Sequence, residues 1–342
     1  LDDYLTNEPR PQERMALRMV AQGHFDTDSW VKIEEIATRL LGLPDLDRDD
    51  IFTANLLLGQ ALFYQEKWAA AIEPLSFVAG KSSDDHIKGM SQVMLVRSLV
   101  QAEKWSELFG WIPRIYRTDS KYDITVNLTL MQAGKSLFDA ADEEEDLEKK
   151  KRNYLNAMLL YRMVLPRDEL LEFSDKRIDV LSAKLEEDIV RGVPEAEVME
   201  RKNEIKDIRA SMKVLKDLAP YEDEVTFRIG QIYAEVKRYW EAYVLFDKLY
   251  QTNPDGDIGS AAALQSTLVL FDVNQADRAE ERVLRYLRND LAGPYSRTLM
   301  AVMMRYNLQH ENLDQVIVLA PYLAELPVAK EADAKDLQAD LH

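Results

Sequence analysis

Two stretches of the chain, 171 residues apart, carry nearly the same order of apolar, glycine and aromatic residues. They are residues 58–63 (LGQALF) and 229–233 (IGQIY). An alanine follows each glycine after 12 residues and a large apolar residue after 16; these are Ala71 with Leu75, and Ala242 with Phe246. This spacing keeps the apolar side chains on one face of a helix. Because a glycine lets a second helix approach closely, each stretch predicts two tightly packed α-helices.

A fixed period relates these two stretches to weaker copies elsewhere in the chain. If each apolar–glycine pair occupies position seven of a unit, units begin near Phe52 and Asp223, with further units near Gly89, Ser260 and Arg297. Neighbouring starts within each set are separated by 37 residues. Periods of about 20–50 residues are typical of repeat proteins, in which each unit packs mainly on its neighbours.

The repeated positions resemble a known family. An apolar–glycine pair, an aromatic residue, a small residue, a large apolar residue and the closing Pro254 resemble the tetratricopeptide repeat. The resemblance covers residues 52–326, strongly in two repeats and loosely in the others. It implies an all-α fold, a right-handed α–α superhelix, and a non-enzymatic scaffold that mediates protein–protein interaction.

The middle of the chain has a longer spacing. From Gly134 to Ala157 there are 23 residues, where Gly59 and Ala71 are separated by 12. The 11 extra residues correspond to about three helical turns and predict a local period of 48 residues. Two such units, starting at residues 127 and 175, would fill the interval up to Asp223. We therefore expect two elongated helix pairs, the second assigned by periodicity alone.

These spacings predict the following organisation. It comprises an N-terminal helical cap (1–50), repeats one and two (52–126), two elongated repeats (127–222), repeats five to seven (223–326) and a C-terminal capping tail (327–342).

Charge and composition exclude several classes of partner. The 61 acidic residues exceed the 43 basic ones, which gives a net charge of −18. Such a chain repels phosphate backbones and anionic lipid headgroups, so we expect no nucleic-acid partner. No apolar run reaches the ~18 residues of a membrane span, so we expect no membrane insertion of the chain. The absence of cysteine excludes disulfides and thiolate metal sites. The expected partner is a protein or peptide segment.

No motif of a catalytic, cofactor or metal site occurs. The four histidines lie in separate segments, and no phosphate-binding loop or nucleophile elbow is found. The acidic run 142–146 is followed by the basic run 149–152, which predicts self-paired charges on a helix. Residues 253–257 lack the flanking acids of a calcium loop and predict a turn. We expect no enzyme, cofactor or metal; an all-α enzyme, or a regulatory region of one, is the alternative.

The resemblance also implies where a partner binds. In tetratricopeptide proteins the first helix of each pair lines a concave groove. Carried over by position, the groove residues of this chain are Leu56, Gln60, Val93, Arg97, Met131, Lys135, Phe227, Gln231 and Arg305. This mixture of apolar, amide and cationic side chains suits a segment with apolar and acidic residues.

The chain begins with Leu1 rather than methionine, so we expect that a leader or tag has been removed. Together with the lack of cysteine and the acidic charge, this predicts a bacterial periplasmic or envelope-anchored protein, working in a cell-envelope assembly. A cytoplasmic location is the alternative.

Overall fold

The chain folds into α-helices. A computed structural model describes residues 17, 19–21, 23, 24, 27, 29–289 and 291–326, and these contain no β-strand. The helices are α1 (Trp30–Leu41), α2 (Arg48–Tyr64), α3 (Trp68–Lys81), α4 (Asp85–Gln101), α5 (Trp105–Ile115), α6 (Ile124–Asp142), α7 (Leu147–Tyr161), α8 (Arg167–Arg191), α9 (Glu195–Asp217), α10 (Glu222–Glu235), α11 (Tyr239–Thr252), α12 (Asp257–Asp272), α13 (Ala276–Asn289), α14 (Ser296–Gln309) and α15 (Leu313–Glu325), with a short 3-10 helix at Asp119–Tyr122.

Most consecutive helices pack on one another, as expected for an all-α repeat protein. The helices form two compact units. The first unit contains Leu1–Ala133 and Met163–Asp217, and the second contains Gly134–Arg162 and Leu218–His342. Helix α6 contributes residues to both units, because the division falls between Ala133 and Gly134.

Three glycines mark the points where paired helices approach most closely. A Cβ atom on Gly59 would lie 2.8 Å from the side chain of Leu75, and one on Gly230 would lie 2.6 Å from the ring of Phe246. At Gly134 the corresponding neighbour is Tyr161, at 3.1 Å. The alanines of the pattern, Ala71, Ala157 and Ala242, are completely buried. The predicted pairing of glycine with a large residue is therefore confirmed in three repeats.

The 37-residue period reappears in the backbone of the turns. Five non-glycine residues adopt a left-handed conformation (φ 54–62°) between the two helices of a pair. These are Glu66, Glu103, Lys237, Asn274 and Glu311, spaced by 37 residues within each set. After each of them, the next amide donates to a carbonyl five residues back; an example is Arg238 N to Tyr233 O, at 2.7 Å. This is the Schellman arrangement, which ends a helix by satisfying its last carbonyls.

The helix pair α6–α7 is elongated, as predicted from the spacing of Gly134 and Ala157. Helix α6 continues eight residues beyond Gly134, whereas α2 ends five residues beyond Gly59. Helix α7 begins ten residues before Ala157, whereas α3 begins three residues before Ala71. Most of the extra length therefore lies in the first turns of α7.

The second predicted elongated helix pair is also present, but it packs differently from the first. Helices α8 and α9 have 25 and 23 residues and belong to the first unit. In the second unit, α10 packs directly on α7, so the succession of repeats passes from α7 to α10. Residues 167–217 are therefore a helical hairpin inserted between repeats, and the segment 127–222 is divided between the two units. Periodicity misled the sequence analysis because a long amphipathic hairpin has the same helical spacing as a repeat.

The described residues include part of the predicted N-terminal cap and none of the predicted C-terminal tail. Of the N-terminal cap, Leu17, Val20 and Ala21 are buried against Ile36, Leu40 and Ala54. The predicted capping tail, 327–342, lies outside the described residues.

Substituting Gly230 with alanine tests the close helix contact. Because Phe246 is fully buried and cannot move aside, we expect a loss of about 1–3 kcal/mol in the free energy of unfolding, measured by urea denaturation. The control is Gly110→Ala in α5, where an added Cβ meets no atom within 4 Å. This variant should gain about 0.5–1 kcal/mol from helix propensity. Equal stabilities of the two variants would contradict the contact.

Reciprocal substitutions test the left-handed turns. Lys237→Gly should raise the free energy of unfolding by about 0.5–1 kcal/mol, because a β-carbon is disfavoured at φ 62°. Gly192 has φ 71° with open space around it, so Gly192→Ala should lower the free energy by about 1 kcal/mol. Thermal melts followed by circular dichroism measure both changes, and changes of the same sign would refute the explanation.

Candidate functional site

Part of the predicted groove lies on the first helices α2 and α4 of the first unit. Aspartates cap both helices: the Asp47 side chain accepts from Asp50 N at 2.7 Å, and Asp84 from Ile87 N at 2.9 Å. Leu56 and Val93 are half-buried, which leaves apolar surface on this face. Met131 of α6 is also half-buried.

Arg97 is the exposed cation of this face. Its guanidinium lies over two aromatic rings, 5.6 Å from the centroid of Phe63 and 5.5 Å from that of Trp68. Such cation–π contacts hold the side chain in place and leave its donors available. No ion pair joins Arg97 to a carboxylate of the described residues, although acidic residues outnumber basic ones in the chain. We call the surface formed by Leu56, Val93 and Arg97 the Arg97 face.

Gln60 does not belong to this exposed surface. Only 7% of the residue is exposed, and its amide donates to the sulfur of Met90 at 3.7 Å. A buried amide joining α2 to α4 serves packing between neighbouring repeats. We therefore remove Gln60 from the set of candidate contact residues.

The remaining predicted groove residues lie in the second unit. Lys135 and Arg305 are exposed, and Phe227 and Gln231 are half-buried. The ring of Phe227 packs near that of Phe246, with centroids 5.4 Å apart. Gln231 accepts a hydrogen bond from Arg228 at 3.0 Å. In this unit, apolar packing and internal hydrogen bonds occupy much of the predicted surface.

Two features of the second unit were missed by the sequence analysis. The first is a ladder of arginines and aromatic rings between α11 and α13. Arg282 is 7% exposed, pairs with Asp247 and lies near the rings of Tyr243 and Tyr250. Arg278 lies over Trp240 and Tyr243. The four-residue spacing of the two arginines marks one face of α13, but only the packing of α11 reveals their partners.

The second missed feature is an apolar cavity of about 700 Å³ between α13, α14 and α15. Its walls include Leu284, Leu287, Met300, Met303, Val318 and Tyr322. Val318 and Tyr322 are each 59% exposed, and exposed apolar surface of this kind is typical of interaction sites.

Two carboxylates of the second unit lie at helix ends and have raised pKa values. Glu235 and Asp272 are the last residues of α10 and α12, where the helix dipole disfavours negative charge. Burial raises the pKa of Asp272. Burial also raises the pKa of Glu235, with Lys150 opposing the rise and Asp142 adding to it. In the first unit Glu34 behaves in the opposite way, because a hydrogen bond from Lys67 lowers its pKa.

Neither a cluster of metal-ligating side chains nor a membrane-spanning helix is found in the described part of the chain. No group of three or more histidine, aspartate or glutamate side chains there is arranged to hold a metal ion. None of the helices in that part of the chain is both long and apolar enough to cross a bilayer.

Comparisons with known proteins give distant similarities only. No family model matches the chain, and no curated protein matches it. Yeast Tom70 is 15% identical over 97% of this chain and 88% of that chain, with a TM-score of 0.26. A STAND-family ATPase from Pyrococcus horikoshii with a tetratricopeptide repeat sensor is 11% identical over 93% of this chain and 54% of that chain (TM-score 0.25). A monomeric mutant of IFIT1 with Gppp-AAAA is 10% identical over 86% and 67% (TM-score 0.22). At these TM-scores the repeat fold rests on the helix pairs of the chain itself.

Opposite pKa shifts predict opposite effects of neutral substitutions. A raised carboxyl pKa means that the folded state binds the proton more tightly than the unfolded state does. The stability that this proton contributes is therefore lost as the pH rises from about 4 towards neutrality. Relative to the wild type, Asp272→Asn should therefore raise the free energy of unfolding more at pH 7 than at pH 4. Glu34→Gln should lower the free energy of unfolding, relative to the wild type, more at pH 7 than at pH 4, because the lowered pKa of Glu34 stabilises the fold above pH ~4.5. Urea denaturation at both pH values measures the two stability changes. Changes of the same sign would contradict the opposite pKa shifts of Asp272 and Glu34.

Proposed function

We propose that this protein is a non-catalytic, tetratricopeptide-like scaffold that binds a segment of a partner protein. Support comes from the repeated helix pairs, with glycine contacts at Gly59, Gly134 and Gly230 and a 37-residue period in the turns. Repeats of this kind present many first-helix side chains along one surface, which suits recognition of extended or helical segments.

The observation that carries the proposal is the arrangement at Arg97. A cation held over two rings, without a carboxylate partner among the described residues, has donors free for a ligand. Its guanidinium can bind a carboxylate through two parallel hydrogen bonds. Val93 lies one helical turn before Arg97 on α4 and offers apolar contact beside it, and Leu56 on α2 is the half-buried apolar residue at the corresponding position of the preceding repeat. The partner segment that fits the Arg97 face therefore has apolar side chains and at least one aspartate or glutamate.

For the cellular setting, we propose a periplasmic or envelope-anchored location in a bacterial assembly, with the cytoplasm as the alternative. The chain has no cysteine, so its fold needs no disulfide and is compatible with either compartment. Fractionation of the native source, followed by immunoblotting, distinguishes the two locations.

The interaction is tested first with native partners. The purified protein is used to capture proteins from its native source, and captured proteins are divided into overlapping peptides for binding measurements. Peptides that bind should contain acidic and apolar residues, and their affinity should fall with added salt. Turnover of a small molecule, with no protein bound at the Arg97 face, would instead favour the all-α enzyme.

Reversing the charge at position 97 gives the specific prediction. Arg97→Glu should weaken binding of an acidic peptide about tenfold or more, because a hydrogen bond between charged groups is lost and a like charge is introduced. The control is Arg114→Glu, since Arg114 also lies over a tryptophan, Trp111 at 4.7 Å, but on the second helix of its pair. Fluorescence anisotropy with labelled peptides measures both affinities. Equal weakening by the two variants would show a general charge effect and refute the assigned face.

A further inference from the structure

The hairpin α8–α9 is held together by its own ion pairs. Arg177 on α8 donates to Glu204 on α9 at 3.1 Å. Near the hairpin turn, Arg201 contacts Asp188 at 2.7 Å, and both side chains are largely buried. Leu170, Leu181 and other apolar residues are buried along the hairpin. Its two helices are therefore expected to move as one body.

Contacts between the hairpin and the repeat helices of the first unit are concentrated at its base. The Tyr116 hydroxyl donates to Met163 O, and Leu165 N donates to the Asn127 side chain at 2.8 Å. The rings of Tyr122 and Phe173 stack, with centroids 4.2 Å apart. The residues that make these contacts, Met163, Leu165 and Phe173, lie just before α8 or in its first two turns.

A different contact joins the hairpin to the start of α4. His86 Nε2 lies 3.9 Å from Glu200 Oε1, and His86 Nδ1 lies 3.7 Å from Glu204 Oε2. Each ring nitrogen of one histidine thus faces a separate carboxylate on α9. The side chains of His86 and Glu200 are 39% and 67% exposed, so protons exchange freely with solvent.

The protonation state of the imidazole decides whether this arrangement is attractive. An ionised carboxylate only accepts hydrogen bonds, and a neutral imidazole has one donor nitrogen and one acceptor nitrogen. In the neutral form one nitrogen therefore turns a lone pair towards a carboxylate. The imidazolium has two donors and a positive charge, so it satisfies both glutamates at once. Histidine is the side chain that ordinarily changes charge between about pH 5 and 8.

The other charges around His86 act in both directions. On α4 and its cap they are Asp84, Asp85 and Lys88; Lys81 ends α3, and Arg177 reaches the site through Glu204. The aspartates are negatively charged, whereas the lysines, Arg177 and the N-terminus of α4 carry positive charge.

We propose that His86, Glu200 and Glu204 form a proton-linked latch that fixes the hairpin α8–α9 against α4. Protonation of His86 closes the latch, and deprotonation leaves the hairpin attached through its base. The nitrogen–oxygen distances of 3.7 and 3.9 Å exceed hydrogen-bond length, so closure needs a shift of about 1 Å. The consequence is a hairpin whose mobility changes with pH while the repeats themselves remain folded.

Spin labels measure this motion directly, because the chain contains no cysteine. Labels are attached to Glu107→Cys on α5 and Lys206→Cys on α9, both exposed positions of the first unit. The distribution of label–label distances should narrow from pH 7.8 to pH 5.8. Hydrogen exchange of α9 amides, corrected for the intrinsic rate, should slow about threefold over the same interval.

Three variants separate the latch from other titrations. His86→Gln keeps a polar side chain of similar size and should abolish both responses, and Glu200→Gln should reduce them. His310→Gln lies in the second unit, where His310 stacks on Tyr306, and should leave both responses unchanged. Circular dichroism confirms that each variant is folded. A distribution that does not change with pH, or one that changes equally in His86→Gln, would overturn the proposal.

Discussion

The approach of paired helices at a glycine determines how the rest of the structure packs. At Gly59, Gly134 and Gly230 a large side chain of the second helix occupies the space that a β-carbon would fill. Leu75, Tyr161 and Phe246 can be buried at these sites because the first helix offers only backbone there. The short distance between the helices then limits their neighbours to small residues such as Ala71 and Ala242, which are fully buried. Protein interiors are close-packed, so one such contact restricts the side chains several residues to either side.

The sequence predicted these contacts because their determinants are local. A glycine, an alanine and a large residue at fixed spacing define a helix pair without reference to the rest of the chain. The same logic failed for residues 167–217, since helical spacing shows that a segment has a buried face but not which surface buries it. Only the packing of α10 on α7 shows that the hairpin lies outside the succession of repeats. The left-handed turns were also not foreseen, because Glu66, Lys237 and Asn274 replace the glycine that usually indicates them.

The candidate site was predictable in its position and less so in its detail. Counting positions within a repeat placed Arg97 on a first helix, and the structure gives it an exposed guanidinium over Phe63 and Trp68. The same count included Gln60, whose amide turns inward to Met90. At equivalent positions of successive repeats, the amide of Gln60 thus packs inside the protein, whereas the guanidinium of Arg97 is exposed. Side-chain length explains the difference, since arginine reaches past the contact between neighbouring helices and glutamine does not.

The division of the chain into units has a consequence for synthesis on the ribosome. The first unit is built from two segments separated in sequence by residues 134–162, which belong to the second unit. Proteins emerge from their N-terminus, and domains generally fold as units once their residues are available. Here the first unit is complete only when Asp217 has emerged from the ribosome. Helix α7 has emerged by then, but α10, on which it packs, has not. The surface of α7 that packs on α10 is therefore exposed during translation for longer than in a chain of contiguous repeats. Because segments of the two units alternate along the sequence, the order in which the units are completed during synthesis depends on the order of these segments as well as on the fold.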